Sequence, residues 1–196
     1  MHYLKRKKGK EGYMTLKLDM SKTYDRVEWA YLLAIMSKMG FHDRWVDLVL
    51  YSVSSISYKI INGGREMGPI FPSRGIRQED PLSPYLFIIC AEGLSALIRK
   101  YEAQKWIHGI KVDRGASMVS HMFFAYDNYL YCKAIDKEAR RVMEILHKFE
   151  RASGQQVNVA KSSVFFSSNT EIRKRINVCQ SLGMHEANAQ STYVTS

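Results

Sequence analysis

The stretch from Ser120 to Cys132, Ser-His-Met-Phe-Phe-Ala-Tyr-Asp-Asn-Tyr-Leu-Tyr-Cys, holds an acidic residue at a tight break between two apolar, aromatic-rich runs. That pattern predicts strand, turn, strand, with Asp127 presented at the tip. Upstream, Leu16-Lys-Leu-Asp-Met20 puts a second carboxylate, Asp19, at the end of another strand. Two carboxylates on adjacent strand ends are hard oxygen donors that could share divalent metal ions. Tyr126 stands where a third carboxylate would make such a site strong. Its phenol, with a pKa of about 10, is neutral at pH 7 and a poor Mg²⁺ ligand. Neighbouring residues on a strand project to opposite sides, so Asp127 does not simply replace Tyr126.

The elements around these residues alternate in period. Thr15 to Asp19 predicts a strand with Leu16 and Leu18 on one face. Asp25 and Glu28 form a capping-box-like pair, predicting a helix from Asp25 that carries Trp29, Leu32, Leu33, Met36 and Met39 and ends at Gly40. Asp43 can cap a second helix, with Trp45, Leu48, Val49 and Ser52 along one face. Asn62-Gly-Gly64 predicts a hairpin turn between strands at 57–61 and 67–71. Ser83-Pro84 starts a heavily buried helix that runs to about Lys100. Trp106 to Val112 reads as a strand, Asp136 caps a helix ending near Gly154, and short strands flank Lys161. Past residue 168 the pattern weakens. With no internal repeat and no long linker, one α+β domain is the economical expectation.

Lys and Arg outnumber Asp and Glu by 29 to 19, a net charge of +10. That balance favours polyanionic partners, nucleic acid before an anionic membrane; a basic solvated surface without a partner is the plainer alternative. A hydrophobic fraction of 46% excludes a disordered chain. No apolar run is long enough to span a bilayer, and the N-terminus lacks a secretory h-region, leaving nucleus and cytoplasm open. The basic run at residues 5–10 could be a nuclear signal, a phosphate-contacting loop or a solvated linker. The three cysteines are widely separated, and Cys90 and Cys132 lie in apolar stretches, as reduced core residues do.

At this point the residues resemble a family. Leu18-Asp-Met-Ser-Lys-Thr-Tyr-Asp-Arg-Val-Glu-Trp29 looks like motif A of reverse transcriptases, and Gly75-Ile-Arg-Gln-Glu-Asp-Pro-Leu-Ser-Pro-Tyr-Leu-Phe87 like motif B. Phe124-Ala-Tyr-Asp-Asn128 occupies the place of motif C, usually Phe-Ala-Asp-Asp-Ser in this branch, and Ser153 to Lys161 is similar to motif D. The branch is the LINE-type, non-LTR retrotransposon polymerase of the kind abundant in plant genomes. The likeness runs from about residue 2 to 185. It implies a palm, an antiparallel sheet backed by helices, with fingers and thumb largely missing. Residues 1–12 are then a basic linker, 13–168 the palm-like domain, and 169–196 a weakly ordered start of the thumb or a tail. Ser191 to Ser196 offers no clear match to the primer-grip strands.

The resemblance also implies roles. Asp19 takes the motif A metal-ligand place, and Asp127 remains from the motif C pair; both are the expected catalytic and metal-binding residues, weakened by Tyr126. The backbone carbonyl of Met20 could add a ligand. Tyr24 matches the aromatic residue under the nucleotide sugar, Gln78 offers an amide to the nucleotide, and Lys161 could assist the leaving pyrophosphate. Arg74 and Arg77 suit template phosphates. Each also has a plainer reading: turn residue, polar loop residue, aromatic contact at a helix start, or surface cation. For Asp25, helix capping is preferred over a family role.

Glu79 is the second departure, standing where the family has glycine, a residue often needed for a special backbone angle. Its charge would also oppose a triphosphate. The expected function is therefore RNA-directed DNA polymerase by descent, with Mg²⁺, dNTP, RNA template and DNA primer as implied cofactor and partners, in a truncated and catalytically impaired remnant. The alternatives are a non-catalytic nucleic-acid-binding domain and a non-functional element fragment.

Overall fold

The computed structural model describes residues 9, 11–21, 23–111, 113, 115–124 and 127–187. Tyr126, most of the basic run at 5–10 and the segment Ser191 to Ser196 lie outside the described residues. The chain forms two compact units, and neither is one continuous stretch.

The first unit comprises residues 1–21, 94–149 and 157–196. Its centre is β1 (Tyr13–Leu18), where Met14, Leu16 and Leu18 are fully buried at every second position. That period of two is what a strand with one sealed face requires. Along the chain follow β2 (Met20–Ser21), β3 (Tyr58–Asn62), β4 (Arg65–Ile70), β5 (Ile110–Lys111), β6 (Met118–Val119), β7 (His121–Phe124), β8 (Asp127–Lys133), β9 (Gln156–Val157), β10 (Ser163–Phe166) and β11 (His185–Glu186). The main sheet has the order β11-β10-β1-β8-β7. All its pairs are antiparallel except β10 with β11, which is parallel.

The described residues also form five helices: α1 (Trp29–Lys38), α2 (Asp43–Ser54), α3 (Ser83–Ala103), α4 (Asp136–Ser153) and α5 (Ile172–Leu182). The C-terminal half of α3 meets the hairpin strand β7 through polar contacts. His121 Nε2 lies 2.7 Å from the Ser95 hydroxyl, and the Ser120 hydroxyl donates to Glu102 at 2.8 Å. Helix α4 turns its apolar positions Ala139, Val142, Ile145, Leu146 and Phe149 out of solvent. The fold is thus the expected α+β arrangement of a mainly antiparallel sheet with helices. Residues 169–187 depart from the weakly ordered segment expected: they contain α5 and β11. The helix was faint in the sequence because Ile172 and Ile176 are exposed while Val178 and Leu182 are buried, so its apolar stripe is split.

The second unit holds residues 22–93 and 150–156. Its core is Val27, Leu32, Met36, Val49, Val53, Ile76, Leu86 and Cys90. Burial pushes the Cys90 thiol up to about 12, consistent with an inert core residue. Helix α1 starts at Trp29 rather than Asp25: the N-cap is Glu28, whose side chain makes no capping bond, and its N–H donates to the Ser153 carbonyl at 2.9 Å. Asp43 is the first residue of α2 and not its cap, because the His42 side chain accepts from the Arg44 N–H at 3.2 Å. On α2 the expected face is only partly covered: Val49 is buried with Val53, whereas Trp45 is 63% exposed. The β3–β4 hairpin closes through Gly63 and Gly64, both at positive φ (+58° and +78°), as the tightest hairpin turns demand. In the first unit, the described residues of the Trp106 to Val112 segment, expected as one strand, supply the two residues of β5.

Glu79 has φ +63°. This left-handed conformation costs an ordinary residue about 1–2 kcal/mol, and glycine almost nothing. The glycine expected there would therefore serve backbone geometry. Glu79→Gly should raise stability by about 1 kcal/mol, read as a melting midpoint higher by roughly 2–4 °C for a chain of this size. An unchanged or lower midpoint would show that the loop carries no such strain.

Candidate active site

The polymerase-like residues fall into two groups, one in each unit. In the first unit the antiparallel register of β1 and β8 runs from Tyr13↔Lys133 to Leu18↔Asn128. The next step in that register is Asp19 opposite Asp127. Asp127 is the first residue of β8 and pairs with Phe124 of β7, so it sits one step inside the turn and not at its tip. Asp19 follows β1 and is half-buried. Asp19 thus directly follows, and Asp127 begins, two paired strands.

The turn between β9 and β10 reaches the same place. The Asn158 N–H donates to the Asp19 carbonyl at 2.8 Å, and the Asp19 N–H donates to the Ser162 hydroxyl at 3.0 Å. Lys161 lies in this turn with an exposed side chain, its N–H donating to the Asn158 carbonyl at 3.1 Å. Lys161 thus belongs to the Asp19 cluster. Sequence reasoning missed Asn158 and Ser162, although Asn158 lies in the motif D stretch and Ser162 directly follows it. The signal for them is a short polar pair flanking a lysine, which is too common to read by itself. Met20 begins β2, directly after Asp19.

In the second unit, the segment of Tyr24 to Val27 joins the start of the motif B stretch by backbone bonds. The Ile76 N–H donates to the Tyr24 carbonyl at 2.9 Å and the Gly75 N–H to the Val27 carbonyl at 2.8 Å. The Trp29 indole N–H donates to the Gly75 carbonyl at 2.6 Å. Gly75 has φ +90°, and a Cβ there would stand 3.0 Å from the Asp25 carbonyl oxygen, so the close approach requires glycine. The Gln78 amide donates to the Asp25 carboxylate at 3.0 Å. Asp25 therefore orients a motif B side chain instead of capping a helix. Tyr24 meets Phe87 edge-on, with ring centroids 5.8 Å apart. Arg74 is exposed and lies 3.4 Å from Glu28, and Arg77 is exposed with its carbonyl accepting from the Ser83 hydroxyl at 2.5 Å. Ser83 thus ties down the loop before α3. Glu79 is exposed.

Asp19 and Asp127 are the residues from which the sequence led one to expect hard oxygen donors for a divalent ion. Among the described residues no group of three or more His, Cys, Asp or Glu side chains is placed to hold a metal. No described helix is long and apolar enough to cross a membrane.

Known proteins are similar to this chain. A family model described as reverse transcriptase (RNA-dependent DNA polymerase) matches residues 1–189. An uncharacterized mitochondrial protein of Arabidopsis thaliana is 44% identical over 77 residues, 39% of this chain and 63% of that protein. The retrovirus-related Pol polyprotein of type-1 retrotransposable element R2 from Popillia japonica is 36% identical over 95 residues, 47% of this chain and 16% of the polyprotein. An uncharacterized 149 kDa protein of transposon TX1 from Xenopus laevis is 24% identical over 157 residues, 80% of this chain and 12% of that protein. The chain spans less than two thirds of the first relative and a small part of the other two. Among solved structures, apo telomerase from Candida tropicalis, truncated from its C-terminal domain, superposes with a TM-score of 0.58 at 13% identity, over 80% of this chain and 31% of that one. That likeness shows a shared fold. With the family model covering nearly the whole sequence and retrotransposon Pol proteins among its relatives, this chain belongs to the reverse transcriptase (RNA-dependent DNA polymerase) family, on its LINE-type, non-LTR branch.

Proposed function

We propose that this chain is a retrotransposon reverse-transcriptase domain whose polymerase site is catalytically impaired and whose basic surface still holds nucleic acid. One observation supports the reading above others: the β1–β8 register, continued one step past Leu18 and Asn128, leads toward Asp19 opposite Asp127, while the residue before Asp127 is a tyrosine. The reaction of the family is attack of a primer 3′-hydroxyl on the α-phosphate of a dNTP. A divalent ion such as Mg²⁺, held by Asp19 and Asp127, would neutralise charge on the phosphate. Asp19 has the backbone support for that role. Tyr126 offers an uncharged oxygen where the second strong ligand would stand, so the ion is held weakly.

The remaining residues serve substrate. Gln78, oriented by Asp25, presents the rest of its amide to the nucleotide, and Tyr24 offers a ring edge braced by Phe87 to the sugar. Met20 follows Asp19 at the nucleotide side of the strand. Lys161 carries its charge on the turn that also holds Asp19, where it would meet the departing pyrophosphate. Arg74 and Arg77, both exposed in the motif B loop, contact template phosphate. Glu79 adds a negative charge to the same loop and opposes the triphosphate.

Primer extension tests the catalytic half of this reading. The chain as it stands should extend an RNA-templated DNA primer at or near background. A Tyr126→Asp, Glu79→Gly double variant should exceed it by at least tenfold, since a missing metal ligand is worth several kcal/mol of transition-state stabilisation. Equal extension by both would end the impaired-site claim.

The binding half is tested by titrating a primer–template duplex against salt. Affinity should fall by roughly three orders of magnitude between 50 and 200 mM salt if about six phosphates are contacted. A flat response would leave the net charge of +10 as plain surface solvation.

A further inference from the structure

Asp19 stands just beyond the last β1 residue, so the sheet alone does not hold it. Its N–H donates to the Ser162 hydroxyl at 3.0 Å, and its carbonyl accepts from the Asn158 N–H at 2.8 Å. The Ser162 hydroxyl in turn donates to the Asn158 carbonyl at 2.8 Å, a carbonyl that also receives the Ser162 N–H at 2.9 Å. A hydroxyl has one proton and two lone pairs, so it makes both bonds without conflict. Ser162 is fully buried, at 0% exposure, which keeps water from taking either place. On the other side of Asp19, Leu18 is buried and registered against Asn128. Both backbone polar groups of Asp19 are thus held by one five-residue turn, and neither bond uses the carboxylate.

We propose that Ser162 is a positioning residue for Asp19: its hydroxyl fixes the backbone from which that carboxylate is presented opposite Asp127. The inference rests on the polymerase reading of Asp19 given above. Lys161 sits in the same turn, so the cation and the carboxylate are set by one device. A serine that only stabilised the turn would leave metal affinity alone. A positioning serine changes it, because partners that orient a ligand are commonly worth 10- to 100-fold in metal affinity.

The test uses the full chain carrying Tyr126→Asp and Glu79→Gly, with Mn²⁺ alone as the probe. Three quantities are measured: hydrogen exchange at the Asp19 amide by NMR, the Mn²⁺ dissociation constant by electron paramagnetic resonance, and the melting midpoint. Adding Ser162→Ala should speed exchange at the Asp19 amide and weaken Mn²⁺ binding about tenfold, and Ser162→Thr should recover both. A lower midpoint with unchanged Mn²⁺ affinity would overturn the inference and leave Ser162 a structural residue. Should the alanine variant not fold, the unaltered Ser162 chain still decides: an Asp19 amide that exchanges as fast as an unprotected one means there is no clamp. A protected Asp19 amide with no Mn²⁺ binding would instead sink the polymerase reading itself, and the inference with it.

Discussion

The ladder of backbone hydrogen bonds between β1 and β8 constrains everything else at this site. It pairs residues whose numbers run in opposite directions, Tyr13 with Lys133 through Leu18 with Asn128. A slip of one residue would turn every side chain of β1 to the other face, taking Met14, Leu16 and Leu18 out of their buried places. The burial of those three therefore locks the register.

A second constraint acts on loops. In the second unit the Tyr24 to Val27 segment and the Gly75–Ile76 segment are stitched by backbone bonds and by the Trp29 indole, which leaves no room for a side chain at Gly75. Four residues later Glu79 adopts a left-handed backbone that suits glycine. The loop thus adopts the backbone that a glycine would make easy, with a glutamate in its place.

The second unit also carries apolar side chains in solvent. Trp45, Tyr51 and Tyr85 are exposed, and an apolar groove of about 490 Å³ runs between α1, α2 and α3, with Trp45, Leu48 and Tyr85 among its lining residues. The β3–β4 hairpin is exposed along its whole length. Helix α2 was expected to carry Trp45, Leu48, Val49 and Ser52 along one face; the structure buries Val49 together with Val53 and leaves Trp45 and Leu48 exposed. A periodic pattern marks an apolar face, but it does not say whether anything within the chain covers that face.

Period and punctuation alone determined much of this protein. Alternation in β1, two aromatic runs about a break at β7–β8, the Gly-Gly turn of β3–β4 and the apolar stripe of α4 are local patterns, each enforced by side-chain geometry within a few residues. Asp19, Tyr126, Asp127, Gln78 and Glu79 could be singled out as candidates for the same reason, since motifs are short. Tertiary structure decided the rest. Asp25 was free to cap a helix until Gln78, 53 residues away, took its carboxylate. Asp19 had no visible support until Asn158 and Ser162 closed on its backbone. Such bonds join groups distant along the chain, and their energy depends on burial that only the folded molecule supplies, so no local pattern could announce them.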